Sequence, residues 1–183
     1  IPYCRVRIAD DEDRGLPDGQ VGHIHIRGEN VTQGYYENPE ANAVALTADG
    51  WLRTGDLGVV HEGELFITGR AKEIIFVNGQ NYYPQDLESI AQQVEGLELG
   101  KVVAAGVRLR NAQTDPPAVF VLHRAHLRDF VPIAAQVARI INERAGLEVW
   151  EVVPVRRIPK TTSGKIQRYL LEQSYVGGEF AAQ

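Results

Sequence analysis

The apolar residues change their period at residues 69–72, and no single regular sheet or helix bundle fits both sides of that change. Before it, short alternating or apolar runs at 5–9 and 21–27 flank an Asp- and Gly-rich stretch at 11–20. Such runs read as strands, because alternation with period two puts one set of side chains on one face of a sheet. In His23-Ile24-His25-Ile26 the histidines share a strand face, which is either a metal pair or a plain polar face. No third ligand stands nearby in sequence, which favours the polar face. Residues 38–46, with Pro39 near the start and Ala41, Ala43 and Ala45 following, read as a short helix before the Ala48-Asp49-Gly50 turn. Residues 64–68 return to strand.

Beyond residue 69, strands alternate with helices of period 3.6, the mark of a separate α/β unit. Residues 73–77 read as a strand ending in an Asn78-Gly79 hairpin turn, and Pro84 opens a helix with Leu87, Ile90, Ala91 and Val94 on one face. Glu88 reads as a surface residue of that helix. Residues 101–107 and 118–122 are buried strands that pair, with Asp115-Pro116-Pro117 forcing a loop between them. A second helix spans 132–145, with Asp129 as its cap and Gly146 as its stop, and 148–155 form the last strand. Residues 158–165 are polar and aperiodic, which predicts a mobile surface loop. The expected fold class is α+β: a small β-rich unit over 1–69, then an α/β unit over 70–183, with the boundary at 70–72.

Charge decides which ligands such a chain can hold. Nineteen Lys and Arg against twenty-four Asp and Glu give a formal charge of -5 over 183 residues. No global basic field exists for nucleic acid or an anionic membrane, so any anion is met locally. No apolar run approaches the roughly 20 residues that span a bilayer, and neither a leader nor a disulfide partner for the single Cys4 is present. The expectation is a cytoplasmic protein with no nucleic-acid partner and no membrane span. The absence of any Met predicts a segment of a longer product.

Three stretches join a glycine to a charge: Trp51-Leu52-Arg53-Thr54-Gly55-Asp56-Leu57-Gly58, Gly69-Arg70-Ala71-Lys72-Glu73, and the loop ending in Lys165. Glycine lets backbone approach a ligand closely, and a carboxylate such as Asp56 can accept from two neighbouring hydroxyls, as a ribose diol offers. A β-turn also explains Thr-Gly-Asp, and a solvated loop lysine also explains Lys165. Gly164-Lys165 is not a phosphate-binding loop of the common type, because Pro159 and Ile166 stand where that motif needs a glycine and a Ser or Thr. Arg53, Arg156, Arg157 and Arg168 read as a basic fringe, solvated or facing acidic groups of a partner.

Taken in order, the motifs resemble the superfamily of adenylate-forming enzymes. They are Gln20-Val21-Gly22-His23-Ile24-His25-Ile26-Arg27-Gly28, Gln33-Gly34-Tyr35-Tyr36, Thr54-Gly55-Asp56, Gly69-Arg70 and the stretch from Pro159 to Arg168. The stretch Val77-Asn78-Gly79-Gln80-Asn81-Tyr82-Tyr83-Pro84-Gln85-Asp86-Leu87-Glu88 is similar to the version found in fatty acyl-AMP ligases. Lys72-Glu73 departs from the usual Lys-Asp of the superfamily but keeps the charge. The resemblance implies that 1–69 is the terminal β-rich subdomain of a large N-terminal domain and 70–183 the C-terminal lid. It implies Lys165 as the catalytic lysine, Asp56, Thr54 and Arg70 at the nucleotide, Lys72 as the hinge, and Gly79 along the tunnel for the acceptor's arm. It further implies ATP as cosubstrate, with Mg2+ as its counter-ion bound mainly by the N-terminal domain and no metal site here. A fatty acid is the implied substrate, an acyl-carrier protein of a polyketide or peptide synthetase the implied partner, and the 183 residues alone are expected to be inactive. An acyl-CoA synthetase, a peptide-synthetase adenylation domain and a non-catalytic carrier-docking module are the competing expectations.

Overall fold

The computed structural model describes residues 3–98, 100–107 and 115–180. The chain divides into two compact units, Ile1–Lys72 and Glu73–Gln183. The fold is of the α+β class, a sheet-rich unit followed by an α/β unit.

The first unit is a four-stranded antiparallel sheet in the order β1 (Cys4–Ala9), β2 (Gly22–Gly28), β3 (Leu52–His61), β4 (Glu64–Arg70). Helix α1 (Pro39–Ala45) lies between β2 and β3 in sequence. Its start is fixed locally: the Asn38 side chain accepts from the Ala41 N–H at 3.0 Å, and Pro39 pre-sets the first turn. Ile8, Ala9, Ile24 and Leu57 make a small core.

Of the two explanations offered for Thr54-Gly55-Asp56, the β-turn is not what the fold shows; the three residues lie within β3, a strand of ten residues. His25 of β2 pairs with Arg53 and His23 with Leu57, so Thr54, Gly55 and Asp56 together oppose Ile24 alone. The motif is thus a β-bulge in an inner strand, which bends the strand and re-aims its side chains. Gly55 takes φ of +79°, a conformation that other residues enter only with strain.

The second unit is built on the three-stranded sheet β7 (Val102–Gly106), β8 (Pro117–Leu122), β9 (Glu151–Val155). β7 and β8 pair, as their sequence predicts, and do so antiparallel; β9 joins β8 in parallel after the crossover helix α3 (Leu127–Ala145). Ahead of this sheet come the hairpin β5 (Ile75–Val77), β6 (Gln80–Tyr82) and helix α2 (Pro84–Ala91). Asn78 and Gly79 both have positive φ, +51° and +82°, as a two-residue hairpin turn requires. Helix α4 (Arg168–Val176) follows β9.

Both faces of this sheet are buried, so its strands are continuously apolar rather than alternating. Val102, Ala104, Val119 and Val121 pack with Leu87 and Ala91 of α2 and with Phe130, Val137 and Ile141 of α3. Val103, Ala105, Ala118, Phe120 and Val153 pack on the other face with Leu171 of α4. The result is three layers with the sheet in the middle.

Helix α3 begins five residues earlier than its periodicity predicts, with Pro132 inside it and His126 rather than Asp129 at the cap. Phe130 and Val137 continue one inward stripe, and the burial of Phe130 offsets the one backbone bond that Pro132 cannot make. Asp129 sits in the first turn, where its charge complements the helix dipole. Residues 158–165 form a compact hydrogen-bonded turn. Thr161 N–H donates to the Lys165 carbonyl at 2.8 Å, and an antiparallel bridge joins Lys160 and Ile166.

Phe120 is fully buried and meets the Tyr175 and Phe180 rings at centroid distances of 6.1 and 5.9 Å. Phe120→Ala is expected to cost about 3–5 kcal/mol of unfolding free energy in urea titration, the range for a large aromatic deleted from a packed core.

Candidate active site

Thr54, Gly55, Arg70 and Lys72 line an open cleft of about 800 Å³ in the first unit, together with Tyr35 and Arg53. The bulge and the strand register put them there. Asp56 and Arg70 are cross-strand partners, and Arg70 Nε donates to Asp56 Oδ1 at 2.9 Å. The two residues singled out from separate motifs are therefore in contact. The Arg70 side chain is 60% exposed and that of Asp56 is 29% exposed, so neither charge is sealed off from a ligand. Thr54 Oγ1 donates to the Ile24 carbonyl at 2.8 Å and accepts from the Asp56 N–H at 3.1 Å. Its hydroxyl thus pins the bulge and holds the Asp56 backbone. Lys72 lies in a 3₁₀ turn, Ala71–Glu73, at the end of the first unit.

A partly exposed ion pair ties the elements around the cleft together. Arg53 reads from sequence as part of a solvated fringe, but its Nε donates to Asp13 Oδ1 at 2.8 Å, and its Nη2 donates to the other carboxylate oxygen. Its Nη1 donates to the carbonyls of Ala43, Val44 and Leu46 at 3.2, 2.9 and 3.1 Å, satisfying the open end of α1. Arg53 ties the loop before β2 to the helix beside the cleft. Its guanidinium, through hydrogen bonding, holds the Asp13 carboxyl below the usual carboxylate range.

The histidines are also not a uniform polar face. His23 pairs with Asp11 at 2.9 Å near the surface, whereas His25 is buried, with Arg7 Nε donating to its Nδ1 at 3.4 Å. Arg7 in turn stacks on Trp51, 4.5 Å from the ring centroid. Burial first, and the Arg7 charge second, lower the His25 pKa. Among the described residues no group of three or more His, Cys, Asp or Glu side chains is arranged to hold a metal ion.

The remaining two candidate residues stand in the second unit. Gly79 occupies the tip of the β5–β6 hairpin, and a Cβ there would meet nothing within 4 Å. Lys165 is exposed, while its backbone is fixed on both sides: its N–H donates to Thr161 Oγ1 at 3.0 Å and its carbonyl accepts from the Thr161 N–H.

Two readings of the sequence fail here. Glu88 is not a surface residue of α2, and Arg168 is not part of a solvated fringe. Glu88 is 8% exposed, and its Oε1 and Oε2 accept from Arg168 Nη2 at 2.9 and 3.0 Å. Oε1 also accepts from the Ala104 N–H at 3.0 Å, and Arg168 Nη1 donates to Glu73 at 2.8 Å. Burial pushes the Glu88 carboxyl up, and the Arg168 charge opposes it. A signal existed: Pro84, Leu87, Glu88 and Ala91 follow the i, i+3, i+4, i+7 spacing of one buried stripe.

No family model matches the chain. Similarity is found instead with individual enzymes. The chain is 38% identical over 195 residues to a 4-hydroxyphenylalkanoate adenylyltransferase of Mycobacterium tuberculosis, covering 96% of this chain and 31% of that protein. It is 34% identical over 207 residues to a long-chain fatty-acid-AMP ligase of Mycolicibacterium smegmatis, covering 91% and 33%. In the solved structure of McyG A-PCP complexed with phenylalanyl-adenylate, the match covers all of this chain and 29% of that one, with TM-score 0.88 and 33% identity. The chain belongs to the adenylate-forming enzymes. Its relatives there include fatty-acid-AMP ligases and peptide-synthetase adenylation domains, and it spans about a third of the length of the curated relatives first matched.

A His whose pKa is lowered on folding stays neutral in the native state, while the unfolded chain takes up a proton below about pH 6.5. Stability is therefore expected to fall as pH drops from 7 toward 5, and His25→Gln is expected to flatten that slope. Urea unfolding of both chains at pH 7 and pH 5 checks this; equal slopes would remove His25 as the cause.

Proposed function

We propose that the chain is the lid-bearing part of a fatty acyl-AMP ligase, which joins a fatty acid to ATP as acyl-AMP and then passes the acyl group to a carrier protein. The observation that carries this reading is the contact between Asp56 and Arg70 at the rim of an open cleft, beside the Thr54-Gly55 bulge. A carboxylate at that place accepts from both hydroxyls of a ribose, and the partly exposed arginine beside it meets the anionic phosphate of the nucleotide. Thr54 fixes the backbone from which Asp56 projects.

In the first half-reaction a carboxylate oxygen attacks the α-phosphorus of ATP, and the bond to the pyrophosphate oxygen breaks. Charge grows on the α-phosphate as the two anions meet. Lys165, an exposed ammonium on a turn with a fixed backbone, is suited to neutralise that charge where it develops. In the second half-reaction the carrier's thiol attacks the acyl carbonyl and AMP leaves. Lys72 is the hinge in this reading, standing at the end of the first compact unit, and rotation there withdraws Lys165 and brings in the hairpin of Gly79. A glycine tip with open space around it suits a surface along which a pantetheine arm slides. Mg2+ accompanies ATP as a counter-ion; the described residues offer no cluster to hold it, and no step here runs through it.

A peptide-synthetase adenylation domain acting on an amino acid is the second reading, favoured by the likeness to the McyG A-PCP structure. The discriminating assay is acid-dependent exchange of pyrophosphate into ATP by the full-length protein, run over a panel of fatty and amino acids. Acyl transfer to coenzyme A and to carrier protein then identifies the acceptor. Exchange with fatty acids, transfer to carrier protein alone, and a loss of exchange of about 100-fold or more in a folded Lys165→Ala variant are expected, the scale of one lost electrostatic donor. Retained exchange in that variant would remove the role given to Lys165, and exchange with amino acids alone would establish the second reading.

A further inference from the structure

The second unit contains a buried ionic triad that the proposed chemistry does not use. Arg168 opens α4, three residues after Lys165, and its guanidinium bridges two carboxylates far away in sequence. Nη1 reaches Glu73, the residue directly after Lys72, and Nη2 reaches both oxygens of Glu88 on α2. The side chains of Arg168 and Glu88 are each 11% exposed and that of Glu73 is 25% exposed. Glu88 is further held by the Ala104 N–H of β7, so the triad is moored to the central sheet.

The turn carrying Lys165 is closed onto the same point. Gln167 N–H donates to the Pro159 carbonyl at 3.0 Å, Lys160 bridges Ile166, and Thr161 binds Lys165 on both sides of its peptide. Arg168 is the next residue after this closed base. One guanidinium therefore joins three things: the residue following Lys72, the helix α2 with its sheet, and the base of the Lys165 turn. Arg168 Nε is buried and has no hydrogen-bond partner among the described residues, so the arrangement forgoes one donor to hold this geometry.

We propose that Arg168 is a positioning residue which, through Glu73 and Glu88, locks the Lys165 turn to the chain leaving Lys72. Rotation at Lys72 is then delivered to the Lys165 ammonium without slack. The inference rests on the roles given above to Lys165 and Lys72. Lysine cannot replace Arg168, because a point charge with one reach cannot span two carboxylates on opposite sides as the planar fork does.

The test uses the full-length protein with Arg168→Lys, and with Glu73→Gln, which removes one arm and leaves the Glu88 pair intact. Arg168→Lys is expected to lower kcat for fatty-acid-dependent pyrophosphate exchange about 10- to 100-fold, the effect of a catalytic group displaced by about 1 Å. KM for ATP and acid should stay within about twofold, as should transfer from supplied acyl-adenylate to carrier protein, since that half-reaction does not use Lys165. Glu73→Gln should give a smaller loss of the same kind. Unchanged exchange, or equal losses in both half-reactions, would overturn the proposal. If the unsubstituted protein shows no exchange, the functional reading fails, and the clamp is judged by amide hydrogen exchange at Thr161, Gly164, Lys165 and Gln167. Exchange at least tenfold faster in Arg168→Lys supports the clamp, and unchanged exchange rejects it.

Discussion

The register of β3 against its two neighbours is the constraint on which the first unit's site depends. Against β2 the strand carries two extra residues, which creates the Thr54-Gly55-Asp56 bulge; against β4 it sets Asp56 opposite Arg70. A one-residue slip would turn Asp56 to the other face and separate it from Arg70. Thr54 guards against that slip by bonding the Ile24 carbonyl across the bulge, and Gly55 supplies the positive φ that the bulge needs. Arg53, half-buried, then fixes Asp13 and the end of α1 around the same strand, so the cleft is a consequence of pairing and not of loop placement.

The second unit solves a different problem. Its three strands are apolar on both faces and are sealed by α2 and α3 on one side and α4 on the other. Into this apolar body the chain inserts two carboxylates and one guanidinium. Buried charge of this kind is costly unless paired and hydrogen-bonded, and replacing it by apolar side chains often stabilises a protein. Its retention here, with Lys165 at one end and the junction residue Glu73 at the other, accords with a use in geometry rather than in stability. The exposed turn keeps its backbone fixed while its ammonium stays free to meet an anion.

What the sequence makes legible is local. Asn38-Pro39 announces α1, Asn78-Gly79 the hairpin, Pro84 the start of α2 and Gly146 the end of α3, because each acts through its own backbone or a neighbour within four residues. The apolar strands and their pairing are equally readable from composition. The bulge is not, because it is a relation between β2 and β3 across some 30 residues. Glu88 and Arg168 lie 80 residues apart and each looks like an ordinary surface charge, although the stripe around Glu88 carried a signal. The Asp56 and Arg70 motifs were visible one by one, while their contact is a product of the sheet. The period alone starts α3 at 132, whereas the burial of Phe130 carries the helix back through Pro132 to Leu127.

The central claim is that this chain belongs to a protein that makes an acyl-adenylate from a fatty acid. Its most direct test is mass spectrometry of the full-length protein incubated with ATP and a fatty acid, before any acceptor is added. The account predicts acyl-AMP on the protein, with pyrophosphate released in equal amount. ATP consumed to ADP and phosphate, or no acyl-AMP with any fatty acid tried, would contradict it.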